Sequence, residues 1–207
     1  MTRVTASLLA SAMFVALTCL SAAAQTVTPV PLKEDQVVYE FVGQFNNTQT
    51  TSQQFGYLSK VNGLDSIFSG EPENETTALF TFVTNANTDR VIANGPFKIL
   101  NRTGTTTIYL NTPPSDFSNP STFSQGTPIQ VSTYSQQVIV NTTNNSFQTV
   151  HMNTVTRTKA FSLNSTMYRL GKVGDSFRTN YSGQVNPNAP PSGWFGGNAV
   201  GVKRICP

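Results

Sequence analysis

From Val37 to Ile205 the chain alternates runs rich in Thr, Val, Ile, Phe and Tyr with clusters of Gly, Asn, Pro and Ser. It nowhere sustains the i, i+3, i+4 apolar spacing of a helix. Branched and aromatic side chains suit a pleated surface, and turn residues recurring roughly every eight to fifteen positions cut that surface into strands. Strand signals fall at Val37–Phe45, Phe55–Val61, Ala78–Thr84, Arg90–Ala93, Phe97–Leu100, Thr105–Leu110, Ile129–Asn141, Phe147–Phe161, Met167–Leu170, Phe177–Val185 and Asn198–Ile205. Asn94-Gly95 and Arg102-Thr103-Gly104 read as turns and Thr142–Ser146 as a hairpin connection. Asn111–Gly126 and Asn186–Gly197 read as long loops. The expected fold is all-β, a single antiparallel β-barrel of about eight strands, with a β-sandwich as the alternative. In Ile129–Val140 the apolar positions begin on odd numbers and end on even ones, at Val138 and Val140. A bulge near Ser135–Gln137, of the kind that bends barrel strands, or a strand with apolar surroundings on both sides at one end, would account for this.

The first residues carry a different pattern. Thr2-Arg3 is followed by the apolar run Leu8–Leu20 and then by Ser21-Ala22-Ala23-Ala24. A basic start, a short apolar stretch and small residues at a cleavage site make a secretory signal peptide over residues 1–24. The run is shorter than the ~20 residues a spanning helix needs, and Ala16-Leu17-Thr18 before Cys19 does not make a lipobox. The mature chain is therefore expected to start at Gln25, to be secreted or periplasmic, and to have no membrane span. Residues 25–36 form an extended lead-in, and the barrel domain occupies 37–205. Asn46, Asn74, Asn101, Asn141, Asn144, Asn164 and Asn180 each open an Asn-x-Ser/Thr triplet. In a chain this rich in Asn and Thr such triplets do not separate a glycosylated protein from a bacterial one.

Composition excludes several chemistries. The formal net charge is +3 in the full chain and +2 without Arg3, too weak to imply nucleic acid as a partner. The two cysteines, Cys19 and Cys206, exclude a disulfide framework, and only Cys206 survives cleavage, as a tail thiol. His151 is the single histidine and has no metal-ligand spacing or Gly-x-Ser-x-Gly elbow near it. It reads as a hydrogen-bonded strand residue, and no metal or cofactor is expected.

The remaining candidates are few. Glu71, Glu73 and Glu75 alternate in a Pro-containing loop and read as a solvated acidic patch, with Glu75 close enough to the next strand to face a barrel mouth. Glu40 shares a face with Val38 and Val42, while Tyr39, Phe41 and Phe45 form the more apolar face. An inward Glu40 would be desolvated and its pKa raised. Tyr109 and Arg178, both strand-borne, could orient a ligand. Trp194-Phe195 could form a sugar- or lipid-facing platform or plug a barrel end. Glu40, Tyr109 and Arg178 are the ligand-lining candidates.

Phe80-Thr81-Phe82-Val83 and the stretch Leu170–Val185, with Gly171, Gly174, Phe177 and Gly183, resemble the allene oxide cyclase and dirigent-like barrels. The glycine spacing departs from that family's strict one. The resemblance spans Val37 to Ile205. It implies an eight-stranded antiparallel barrel with a cavity, a trimeric assembly, and an activity, if any, of the cofactor-free cyclase or isomerase kind. The expected function is binding of a small apolar ligand in the cavity. The alternative is a non-enzymatic secreted sandwich that binds glycans or builds surface structure.

Overall fold

The computed structural model describes residues 30–31, 37–112, 114–187 and 190–202. Residues 1–24, read above as a signal peptide, most of the expected lead-in, Cys19 and Cys206 lie outside the described residues. Among the described residues eleven strands occur in the order β1 Val30–Pro31, β2 Val37–Asn47, β3 Thr51–Val61, β4 Phe80–Asn94, β5 Phe97–Leu110, β6 Thr127–Asn141, β7 Ser146–Thr158, β8 Phe161–Leu163, β9 Thr166–Arg169, β10 Ser176–Asn186 and β11 Ser192–Val202. Eight of them close a barrel in the order β10-β11-β2-β3-β4-β5-β6-β7, and every neighbouring pair is antiparallel. The expected barrel is present, and the sandwich is not. β1, β9 and β8 make a separate three-stranded sheet.

The strands are longer than their sequence signals. The three signals between Arg90 and Leu110 belong to one hairpin, β4–β5, whose turn is Gly95-Pro96 with Gly95 at φ 57°. Arg102-Thr103-Gly104 is not a turn but the middle of β5. Gly104 is needed there because a Cβ would strike the backbone of Asn85 and the hydroxyl of Tyr134. Trp194 likewise lies in β11, so the second long loop shrinks to the β10–β11 connection. The β6 bulge is at Ile129, left out between Gln130 and Pro128 where they pair with Ile108 and Tyr109, not at Ser135–Gln137; the shift against β7 leaves out Thr156 of β7. Ile129, Gln130, Val131 and Ser132 are all buried, and from Gln130 onward the even positions Ser132, Tyr134, Gln136 and Val138 share the inward face of Ile108, with Val131 on the other. Burial on both faces at this end of the strand, not a change of phase at Ser135–Gln137, thus puts odd-numbered apolar residues among the buried ones.

Alternation fills the barrel. Tyr39, Phe41 and Phe45 of β2, Leu58 of β3, Phe80 and Phe82 of β4, Ile108 of β5, Phe177 of β10 and Phe195 of β11 belong to one buried cluster. At one end Phe80 packs edge-on against Phe161 of β8 with ring centroids 5.5 Å apart, so the small sheet covers that end. A second cluster lies on the outside, where Phe55 and Val83 are covered by Phe123 and Phe117 of the 111–126 loop. Thr81 Oγ1 donates to the Phe123 carbonyl at 2.8 Å and fixes the loop there. The outward residues of β7 and β10 are largely polar, the inverse of a lipid-facing barrel wall. Among the described residues no helix is long and apolar enough to cross a membrane.

Candidate functional site

The middle of the barrel is polar. Strand register places Thr88, Arg102, Gln136, His151 and Thr179 opposite one another across β4, β5, β6, β7 and β10, forming one inward rung. Arg102, Gln136, His151 and Thr179 are all buried. Tyr181 reaches into the same layer and organises it. Its hydroxyl donates to Gln54 Oε1 at 2.8 Å and accepts from Gln136 Nε2 at 2.7 Å. With that proton committed to Gln54, the 3.0 Å contact to His151 Nε2 is one in which the imidazole donates. His151 is therefore the neutral Nε2–H tautomer. Its ring stacks on Tyr134 at 4.3 Å with 12° between planes. Asn153 Nδ2 donates to Thr179 Oγ1 at 2.9 Å and to the Phe177 carbonyl at 3.2 Å, tying β7 to β10 below the rung.

The electrostatics of this layer are one-sided. Burial, with the nearby Arg102 charge as the lesser cause, pushes the His151 imidazole down to about 3. Burial also raises the phenols of Tyr39, Tyr134 and Tyr181, so all three are neutral at ordinary pH. The Arg102 guanidinium is lowered by burial, an effect that Tyr181 and Tyr134 oppose, and arginine keeps its charge even so. Its Nε donates to Thr88 Oγ1 at 3.3 Å. Among the described residues no carboxylate lies within ion-pair distance of it; the pair present is Lys60–Glu40 on the outside. A cation thus sits inside the barrel without a counter-charge.

The polar layer separates two spaces. On the Phe41–Phe195 side the barrel is packed and leaves about 30 Å³, room for a water. On the other side a cavity of about 260 Å³ opens between the hairpin loops, bordered by Thr48, Gln49 and Pro191. Phe45, Leu100, Val138, Val140, Phe147 and Val185 make its apolar walls, and Arg102, Gln136, Gln54 and Tyr181 its floor. Ser52 Oγ, Asn47 Oδ1 and Gln136 Oε1 on this lining are buried without a hydrogen-bond partner. The Phe147 ring lies against Gly183, where a Cβ would collide with it and with the Trp194 backbone. Gly183 is thus the close backbone approach that its place inside a strand suggests.

None of the three ligand-lining candidates borders this cavity. Glu40 is on the outer face, exposed and 3.8 Å from Lys60, because alternation turns Tyr39 and Phe41 inward instead. Tyr109 packs on the outer Phe55–Phe123 cluster under the 111–126 loop. Arg178 is exposed on β10, its Nε 3.2 Å from Met152 Sδ. Glu75 lies beside Tyr57 on the outside, where its charge helps raise that phenol after the larger effect of burial. Trp194 is 53% exposed, whereas Phe195 points into the core. Among the described residues no three His, Cys, Asp or Glu side chains converge as a metal site would require.

The residues that do form the floor were missed or undervalued in sequence. Arg102 has the parity of Leu100, Thr106 and Ile108, which is the signal that could have placed it inward. No family model, characterised protein or solved structure matches the chain.

Proposed function

We propose that this protein is a binding barrel that takes a small, largely apolar molecule through its hairpin end, in a secreted or periplasmic setting. The observation that carries the reading is the cavity itself, with apolar walls, a polar floor, and buried polar atoms that lack partners. Ligand sites in proteins are concave, mostly apolar and furnished with a few placed polar groups. Buried polar atoms without partners are costly, and a guest or a water supplies what they lack. A cyclase- or dirigent-like activity, if present, would use the same cavity and need no cofactor. Its means would be hydrogen bonds from the Arg102 guanidinium on the floor.

The test is titration with the small neutral fluorophore 2-naphthol, followed by fluorescence. Saturable binding is expected in the wild type, and its loss in Leu100→Trp, which fills the cavity, with the far-UV spectrum unchanged. Absence of saturable binding, or equal binding by the filled variant, would overturn the proposal. A second reading rests on Trp194, half-exposed and edge-on to Phe117 at 4.7 Å. Such a ring pair is a platform for a sugar face. Glycan binding that Trp194→Ala abolishes, with Leu100→Trp unaffected, would favour it.

A further inference from the structure

The cavity has two charged residues on its lining, Lys98 and Arg102, and no acid. Both are on the inward face of β5 with Leu100 between them. Four residues of strand separate them by about 13 Å, so one cation stands at the rim and the other at the floor. They differ in solvation. Lys98 is exposed and already hydrated. Arg102 is 6% exposed, with one side-chain hydrogen bond, to Thr88. A buried charge without a partner is among the most costly arrangements a fold can keep, and the groups that normally offset it are missing here. The neighbours of Arg102 in the layer are neutral phenols and a neutral imidazole that accommodate a cation without cancelling it.

Resting on the binding role proposed above, we infer that Arg102 is the anchor for an acidic head group, and that the cavity takes a monocarboxylate with a short apolar body, head inward. The planar guanidinium fork matches a carboxylate, and one cation neutralises one negative charge, which disfavours a dianion such as phosphate in a floor this dry. Ser52 Oγ, buried and unpartnered on the same lining, has a hydroxyl proton to offer. The apolar body lies among Leu100, Val138, Val140 and Phe147. The cavity of about 260 Å³ corresponds to roughly nine waters at ~30 Å³ each, which suits a chain of about eight carbons or a single substituted ring.

The experiment compares octanoate, octan-1-ol and octylamine by calorimetric titration of the full chain. In the wild type octanoate is expected to bind at least about tenfold tighter than octan-1-ol, with octylamine weakest. Arg102→Gln should weaken octanoate roughly ten- to a hundredfold and leave octan-1-ol nearly unchanged. Lys98→Gln should keep the preference for octanoate. Equal binding of the three by the wild type overturns the inference and leaves the binding role standing, and this comparison needs no variant to fold. A preference that survives Arg102→Gln, or that Lys98→Gln removes, also overturns it. If none of the three binds and 2-naphthol does not either, the binding role falls with it.

Discussion

The sole histidine of the chain offers a clean measurement of how dry the barrel interior is. In the unfolded chain its imidazole titrates near the ordinary value of about 6.5, whereas in the folded protein it is held down to about 3. Between these values the unfolded state binds a proton that the native state does not. Stability therefore rises with pH across that window and is lost as pH falls below about 6.5. Each pH unit is worth about 1.4 kcal/mol, so lowering the pH from 7.5 to 5 should cost about 2 kcal/mol through this group alone. For a domain of this size that corresponds to a fall in Tm of about 4–8 °C. Carboxylates contribute their own pH dependence, so the comparison is with His151→Gln, whose amide can still donate to Tyr181 but does not titrate. Urea unfolding of both proteins at pH 7.5 and 5 gives the difference of differences. The imidazole carbon-bound proton signals of the folded protein should stay unshifted down to pH 5. An imidazole titrating near 6.5 in the folded state, or identical pH slopes for the two proteins, would refute the reasoning.

Other outcomes follow from the same layer and its supports. Tyr181→Phe removes the hydroxyl that serves Gln54, Gln136 and His151. It should cost about 1–3 kcal/mol for each group left dry, read by denaturant unfolding, and a loss under about 1 kcal/mol in total would mean that the layer rearranges or admits water. Gly174 has φ 92° in the turn before β10. Gly174→Val should destabilise by about 1–3 kcal/mol, and a variant melting like the wild type would show that the turn adapts.

Residues 129–157 show which parts of this structure can be read from sequence. The class, the hairpin at Thr142–Ser146 and the existence of β6 and β7 follow from β-branched content and turn chemistry. The facing of β7 does not. Thr149, His151 and Asn153 point inward, while Val150 and Met152 are exposed, so hydrophobicity alone gives the wrong face in the middle of the strand. The reason is the polar layer, whose hydrogen bonds come from strands far apart in sequence, such as Tyr181 to Gln54. The β6 bulge at Ile129 is hidden for another reason, because residues 129–132 are buried on both faces. Arg102 was obscured by Gly104, which reads as a turn residue but makes room for Tyr134. Glu40 stood out because an acid among valines is conspicuous, yet its neighbours Tyr39 and Phe41 hold the stronger claim to the core.

Under the binding role proposed above, the layer built on Tyr181 also governs traffic. With the far end filled by rings and covered by the small sheet, the barrel is a vessel with one mouth. A guest and the water it displaces must exchange past the same rim, and nothing can pass through from end to end. Uptake and release are then gated by the same few side chains, so a substitution that narrows the rim should slow both rates together and move affinity little. A substitution in the floor should leave arrival untouched and change only how long the guest stays.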